Sequence, residues 1–507
     1  MIVLNITQLL IWIYGSLGLT LVISYLLANF LNFLFIKKNK LAIFNWEMNG
    51  KEYFLSAIYI NILAAIIAFV VIWIYYPISH QSYLWFNIIA SYITNTNLQH
   101  FINQQMFFAS QTLSLTFLQF VAPATGLSFG VSAIRSLTLK KLGNFYDDFV
   151  KSILTLALMT FLLTLSVVYL GLPSGFPFNF KNNFSGPPLG YYIIITLLGN
   201  NGGNYYSQGI AYGPSLTGSL TGIIYIMTFY LLSFSLIFLF GIANKNLKIS
   251  AALFVSVLAY YVIFSLIALF ELPKHIAEYL PSLLNKYSAI SLLYASMSTN
   301  TGASVIPLQI IGAVPTAIMI IIMMGDALPG SVGSGFASLI FIIILTIFFT
   351  SLMSGRMPKF LNYKLETYEI KYAFMGYVLH FVLVLAFLPL AIYFVKAFAY
   401  TPGLSFTEML WEVISSSVNN GSDYYGALGN IANLNIITGV LMVLGRYITF
   451  ALLIKILESI QKKEKTFTQT DIKVDSLAFS ASLIFFIFLL VIITMLPLLA
   501  LGPLSIG

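Results

Sequence analysis

The sequence predicts an all-α polytopic membrane protein with about ten transmembrane helices. Of its 507 residues, 59% are apolar and 8% are charged, and the mean hydropathy is +0.93. A soluble domain carries about 25% charged residues, because they must cover its surface. The composition therefore excludes a soluble enzyme, a nucleic-acid-binding protein and a disordered scaffold.

Ten apolar runs are long enough to cross a bilayer, which takes about 20 residues of helix. They lie at 8–36, 53–76, 106–134, 149–171, 217–243, 249–271, 310–353, 371–397, 433–456 and 477–500. The first run has no basic leader or cleavage site, so we expect a true span rather than a signal peptide. The run at 310–353 is too long for one straight span, and residues 325–330 interrupt it, which predicts a broken helix.

Basic residues predict the orientation of these spans. With residues 37–52 placed inside, 18 lysines and arginines, among them Arg135, fall in inside segments and four lysines fall in outside segments. Cytoplasmic loops carry an excess of Lys and Arg. We therefore expect a plasma (cell) membrane protein with five basic cytoplasmic loops and with both termini outside.

Four outside connections share one pattern. Each contains an apolar stretch of about ten residues, which makes about 15 Å of helix, followed by a cluster of Thr, Asn, Gly or Ser. The stretches are 83–93, 189–198, 286–298 and 405–418. Four copies of the unit span, half-helix, polar loop, span predict pseudo-fourfold symmetry about one axis.

The predicted organisation places four repeats between two additional spans. An extra N-terminal helix covers 1–36, and a cytoplasmic loop and the C-terminal span cover 461–507. The repeats cover 37–143, 144–246, 247–365 and 366–460.

The polar loops predict a cation pathway. Irregular backbone at membrane depth is tolerated inside protein or along a water-filled path, and converging carbonyls can replace the hydration shell of an ion. The C-terminal ends of half-helices carry partial negative charge. Few fixed charges accompany the loops, which favours a monovalent ion such as K⁺ over a divalent one. Each cluster taken alone can also be an ordinary turn.

Nucleotide and metal chemistry are not expected in this chain. No G-x-x-x-x-G-K-[ST] loop and no kinase signature is present, so ATP would be bound by another chain. Cysteine is absent, and His80, His100, His275 and His380 show no metal-ligand spacing. We therefore expect neither a cofactor nor a histidine metal site.

The polar clusters and several other segments resemble one known family. Residues 94–99, TNTNLQ, resemble the T-N-T-N-W-Q motif of the potassium-transporting ATPase A subunit, the channel-like subunit of the Kdp complex in the superfamily of K⁺ transporters. Further similar motifs follow in the same order at 142–148, 199–203, 325–335, 355–361, 419–422 and 499–503. The resemblance covers about residues 53–507.

This resemblance implies a non-catalytic subunit that selects extracellular K⁺ in a four-loop carbonyl filter. The ion then passes to a P-type ATPase B subunit, which binds ATP and Mg²⁺; a small C subunit and an F-type single-span peptide complete the complex in the lipid bilayer. The filter residues carried over are Asn95, Thr96, Asn200, Asn201, Gly202, Asn300, Thr301, Gly302, Asn419, Asn420 and Gly421. Gln99 and Asp423 flank the filter.

Two charged residues within the spans are candidates for control of the pathway. Arg446 is predicted to face the pore and block downward leak, with a structural salt bridge as the alternative. Asp326, with Gly325 and Gly330, is predicted to lie by the tunnel entrance toward the ATPase subunit. The alternative for Asp326 is a glycine-packed kink with a satisfied carboxylate.

Two other functions remain open. A stand-alone Trk/Ktr-like K⁺ channel or secondary transporter would share the four-repeat filter, but the extra terminal spans favour the pump subunit. An antiporter-like or quinone-linked subunit would need a chain of intramembrane Lys, Glu and His residues. The spans hold mainly Asp326, Arg446 and Lys455, which disfavours that class.

Overall fold

The chain is almost entirely helical. A computed structural model describes residues 2–37, 43–44, 46–75, 82–101, 110–169, 188–203, 220–271, 283–304, 306–326, 329–395, 405–466 and 473–506. In these residues a two-stranded antiparallel ribbon, β1 (Lys359–Phe360) and β2 (Tyr363–Lys364), is the only sheet.

The described residues form fifteen α-helices. They are α1 (Ile2–Leu31), α2 (Gly50–Tyr75), α3 (Ser82–Ile93), α4 (Phe117–Leu139), α5 (Phe145–Tyr169), α6 (Pro188–Leu198), α7 (Leu220–Ala243), α8 (Leu247–Glu271), α9 (Leu283–Ser298), α10 (Ala313–Gly325), α11 (Ser334–Ser354), α12 (Thr367–Phe394), α13 (Ser405–Ser417), α14 (Ala432–Gln461) and α15 (Leu477–Leu501). Two π-helical turns (Asn32–Ile36 and Gln111–Thr116) and three 3₁₀ turns (Leu308–Ile310, Gly426–Gly429 and Pro503–Ile506) complete the list.

Ten helical segments are long and apolar enough to cross a membrane, which confirms the predicted fold class. The long run at 310–353 forms two helices, α10 and α11, with a non-helical break between them, as expected. The short helices α3, α6, α9 and α13 cover the four half-span stretches. Each precedes one polar cluster.

The helix that follows each polar loop forms the centre of the molecule. The four inner helices α4, α7, α11 and α14 contact one another in closed order, and α4 also contacts α11 across the ring. In the most apolar part of these spans, 61% to 89% of the residues are buried. The corresponding shares are 28% to 56% in α2, α5, α8 and α12, so these helices form the outer layer.

The outer layer exposes apolar side chains. On α2, Leu55, Ile62, Ile66 and Trp73 are each 50% to 57% exposed. Because nothing in water would favour this exposure, these side chains are suited to contact lipid. The additional helix α1 packs against α7, and α15 packs against α8 and α11.

A buried ion pair joins three helices near the basic end of the spans. Arg135, which was expected in a cytoplasmic loop, lies within α4 and is buried. Its Nη1 and Nη2 donate to Oδ1 and Oδ2 of Asp148 on α5, at 2.9 and 2.6 Å. The Tyr53 hydroxyl on α2 donates to the same carboxylate at 2.9 Å. The buried carboxylate therefore explains why this arginine is inside the protein.

We predict that Asp148→Asn lowers the free energy of unfolding by about 3–5 kcal/mol, because it leaves a buried guanidinium without its counter-charge. Thermal or denaturant unfolding of the detergent-purified chain measures the change. The control is Glu47→Gln, whose carboxylate is 3.9 Å from Lys141 in an exposed pair. Exposed pairs contribute less than about 1 kcal/mol, so equal losses in the two variants would contradict the assignment.

Candidate functional site

The four short helices end in the same hydrogen-bonded turn. Three successive N–H groups donate to carbonyls four, three and five residues earlier, at residues 94–96, 199–201, 299–301 and 418–420. The middle residue is always an asparagine with positive φ, at Asn95, Asn200, Asn300 and Asn419. Asparagine tolerates this left-handed conformation better than most residues. The repeated turn makes Thr301 structurally equivalent to Asn201, and Gly302 to Gly202.

Asparagine side chains link the four turns in a closed ring. Each turn is hydrogen-bonded to the next at 2.9 to 3.1 Å. The bonds run from Asn95 Nδ2 to the Gly199 and Asn200 carbonyls, from Asn200 Nδ2 to Thr301 Oγ1, from Asn420 Nδ2 to Asn300 Oδ1, and from Asn419 Nδ2 to Thr96 Oγ1. The loops therefore surround one common centre and do not pack against different flanks of the molecule.

Glycines occur where the loops approach one another most closely. A Cβ added at Gly202 or Gly421 would collide with the carbonyl oxygen of Thr96, and one at Gly302 would collide with that of Asn420. Gly302 and Gly421 also have positive φ, at 76° and 87°. Side chains are therefore excluded from three of the four loops at this level.

The first loop differs from the other three. Asn97 occupies the position of these glycines, with φ of 55°, and its Nδ2 donates to the Gly203 carbonyl at 3.0 Å. The carbonyl of Thr96 accepts the N–H of Gly202 at 3.0 Å. A carbonyl oxygen has two lone pairs, so one of them stays available. Gln99 Nε2 donates to the Tyr92 hydroxyl at 2.9 Å and braces this loop against α3.

Arg446 lies where three inner helices meet. The residue belongs to α14 and is 2% exposed. Its Nη1 donates to Ser334 Oγ on α11 at 2.9 Å, and its Nη2 donates to the Ala122 carbonyl on α4 at 3.3 Å. Within the described segments it forms no salt bridge. Gly445 beside it packs against the Ser417 carbonyl at the end of α13, so this part of α14 lies beside the start of the fourth loop.

The break between α10 and α11 is tied to the third loop. Asp326 Oδ1 accepts Asn300 Nδ2 at 2.6 Å, and Oδ2 accepts Ser338 Oγ at 3.2 Å. The N–H of Gly330 donates to the Ser298 carbonyl at 2.9 Å. Both carboxylate oxygens therefore have hydrogen-bond partners, as expected for the alternative in which Asp326 is a hydrogen-bonded residue at a helix kink. The role of Asp326 near a tunnel entrance stays a prediction.

Comparison with known proteins agrees with this architecture. The family model described as "Potassium-transporting ATPase A subunit" (KdpA) matches residues 36–506. The chain belongs to this family. Relatives in the A subunit family include proteins named "Potassium-transporting ATPase potassium-binding subunit" in three organisms.

The relatives match over nearly their whole length. The protein of Thermoplasma volcanium is 31% identical over 504 residues, covering 91% of this chain and 85% of the relative. That of Clostridium acetobutylicum is 32% identical over 511 residues, covering 90% and 89%. That of Caldanaerobacter subterraneus subsp. tengcongensis is 31% identical over 506 residues, also covering 90% and 89%. Membership in the A subunit family accounts for the motifs recognised in the sequence.

Some residues at this site were not predicted from the sequence. Asn97 was left out of the filter set, although its place three residues after Thr94 matches that of Gly202 after Gly199. His100 was dismissed with the other histidines, and Glu412 was not considered. The His100 and Glu412 side chains are fully buried beside Asp423, which was expected to flank the filter.

We predict that Asn300→Asp lowers the free energy of unfolding by at least about 2 kcal/mol, because two carboxylates then face each other at a site without solvent. The double variant Asn300→Asp with Asp326→Asn recovers much of this loss, since the amide then donates in the opposite direction. Thermal unfolding in detergent compares them with Asn244→Asp, whose amide bonds only to the Phe240 carbonyl. A double variant no more stable than Asn300→Asp alone would contradict this pairing.

Proposed function

We propose that this chain is the potassium-binding subunit of an ATP-driven K⁺ uptake complex in the plasma membrane. It selects extracellular K⁺ and passes the ion to a P-type ATPase B subunit, which binds ATP and Mg²⁺. A small C subunit and an F-type single-span peptide complete the complex. The observation that carries this proposal is the closed ring of four loops that begin with the same turn, in a member of the A subunit family.

The ring suits a partly dehydrated monovalent cation. Its loops follow the C-terminal ends of α3, α6, α9 and α13, where helix dipoles contribute partial negative charge. Backbone carbonyls of the filter residues named above replace the hydration shell, as in other cation filters. The loops themselves carry amides and hydroxyls but no ionised group, so the attraction remains weak enough for the ion to leave.

Arg446 and Asp326 act on the path below the filter. The guanidinium of Arg446 repels a cation that moves down from the filter, because the group is buried and forms no salt bridge with a described residue. Asp326, Gly325 and Gly330 lie at the break between α10 and α11, which leads the ion sideways toward the ATPase subunit. The hydrogen bond from Asn300 to Asp326 supports this role, since it connects the break directly with a filter loop.

The proposed orientation places the four loops toward the outside. The basic loops then face the cytoplasm, and both termini lie outside. In this arrangement the filter meets extracellular K⁺ before Arg446 does.

We predict that Gly421→Ala abolishes stabilisation by K⁺, because the added methyl group displaces the Thr96 carbonyl. A ligand at 100 times its Kd stabilises a protein by about 2.7 kcal/mol, so the wild type should unfold at a clearly higher temperature in KCl than in choline chloride. The control is Gly426→Ala, which also has positive φ but has no atom within 4 Å of the added Cβ. Loss of the K⁺ effect in both variants would argue against a filter at Gly421.

Measurement of ATP hydrolysis by the co-expressed complex distinguishes a pump subunit from a stand-alone channel. We expect the chain to co-purify with a P-type ATPase, with hydrolysis stimulated by K⁺ much more than by Na⁺. Gly202→Ser should lower this discrimination, because the side chain enters the contact with Thr96 and Gly421. A chain that conducts K⁺ alone, with no ATPase partner, would instead establish the Trk/Ktr-like alternative.

We predict that Arg446→Met raises passive K⁺ efflux from proteoliposomes at least tenfold, because the positive charge below the filter is lost. One tenfold step corresponds to about 1.4 kcal/mol of barrier. Arg446→Lys keeps the charge and should leak much less. Equal leak through the wild type and Arg446→Met would refute the blocking role.

A further inference from the structure

Three buried ionisable side chains meet beside the fourth loop. His100 lies in the connection after α3, Glu412 lies on α13, and Asp423 follows the fourth loop. They are 0%, 0% and 5% exposed. One potential ligand atom from each lies within 4.8 Å of those of the other two. The fold therefore assembles one nitrogen and two oxygen donors from two different repeats.

Neighbouring groups orient two of the three side chains. His100 Nδ1 is 2.8 Å from Asn435 Oδ1 on α14, and Nε2 is 2.8 Å from Glu412 Oε1. With Nδ1–H donating to the Asn435 oxygen, Nε2 is the ring atom that faces the carboxylates. The N–H groups of Tyr425 and Gly426 donate to Asp423 Oδ1 at 2.6 Å. Such outer partners hold metal ligands in place.

A second observation points to a bound cation. Glu412 Oε2 is buried and accepts no hydrogen bond from the described residues. A buried carboxylate oxygen without a partner is costly. Glu408, one turn earlier on α13, is also buried. An ion bound between the three side chains would supply the partner that Glu412 Oε2 lacks among the described residues.

We propose that His100, Glu412 and Asp423 bind a divalent transition-metal ion of the Zn²⁺ class. Zn²⁺ accepts imidazole nitrogen and carboxylate oxygen at about 2.0–2.2 Å, and three protein ligands with one water make a common coordination set. The filter loops offer neutral backbone oxygens, which suit K⁺, whereas this group offers charged donors. The metal site is thus separate from the proposed K⁺ filter and does not depend on it.

Titration of the full-length, detergent-purified chain with ZnCl₂ tests the site. Isothermal titration calorimetry should show one Zn²⁺ bound by the wild type. His100→Gln, Glu412→Gln and Asp423→Asn should each weaken binding at least tenfold. The matched control Glu408→Gln, on the same helix and equally buried, should bind as the wild type does.

A fifth variant displaces a ligand without removing one. A Cβ added at Gly429 would lie 2.6 Å from His100 Cδ2 and 2.8 Å from Nε2, so Gly429→Ala should move the imidazole and weaken binding while the charge is unchanged. Absence of binding by the wild type, or equal affinity in all variants (an adventitious ion only), would overturn the proposal. If substituted chains fail to fold, X-ray absorption of the Zn²⁺-loaded wild type decides: one imidazole in the coordination shell supports the site, and none overturns it.

Discussion

Hydrogen bonding of irregular backbone at membrane depth is the constraint on which this architecture depends. Four polypeptide segments leave their helices in the interior of the molecule, where unpaired N–H and carbonyl groups are costly. Within each segment, one hydrogen-bonded turn, repeated four times, satisfies the backbone N–H groups. Between segments, asparagine amides donate to groups of the neighbouring loop. The close contact of the four inner helices follows from this arrangement.

The same constraint explains why the buried charged side chains lie outside the four loops. The loops contain amides, hydroxyls and glycines, while the buried charges lie around them. Arg135 is balanced by Asp148, whereas the hydrogen-bond acceptors of Arg446 among the described residues are a hydroxyl and a carbonyl. The structure therefore contains one buried arginine paired with a carboxylate and another held by neutral groups.

The sequence was sufficient to predict the spans, because membrane-crossing helices must be apolar along most of their length. The ten runs, the broken helix in the third repeat and the four short helices all follow from composition and length. The polar clusters were also visible, since Asn and Gly are needed where φ is positive. Contacts between distant segments were not predictable. His100 and Glu412 are 312 positions apart, and they meet because α3 packs against α14, which also contacts α13. Arg135 was misplaced because a positive charge at the end of a span looks like a loop residue until its buried carboxylate is known.

The unequal first loop has a consequence for how such a protein can change. Asn97 stands where the other three loops have glycine, and the Thr96 carbonyl is shared with a neighbouring loop. A homotetramer would have to accept any substitution in all four quadrants at once. A single polypeptide with four similar loops can instead change one loop while the other three keep the shape of the ring. Substitutions can therefore alter one side of the ring at a time.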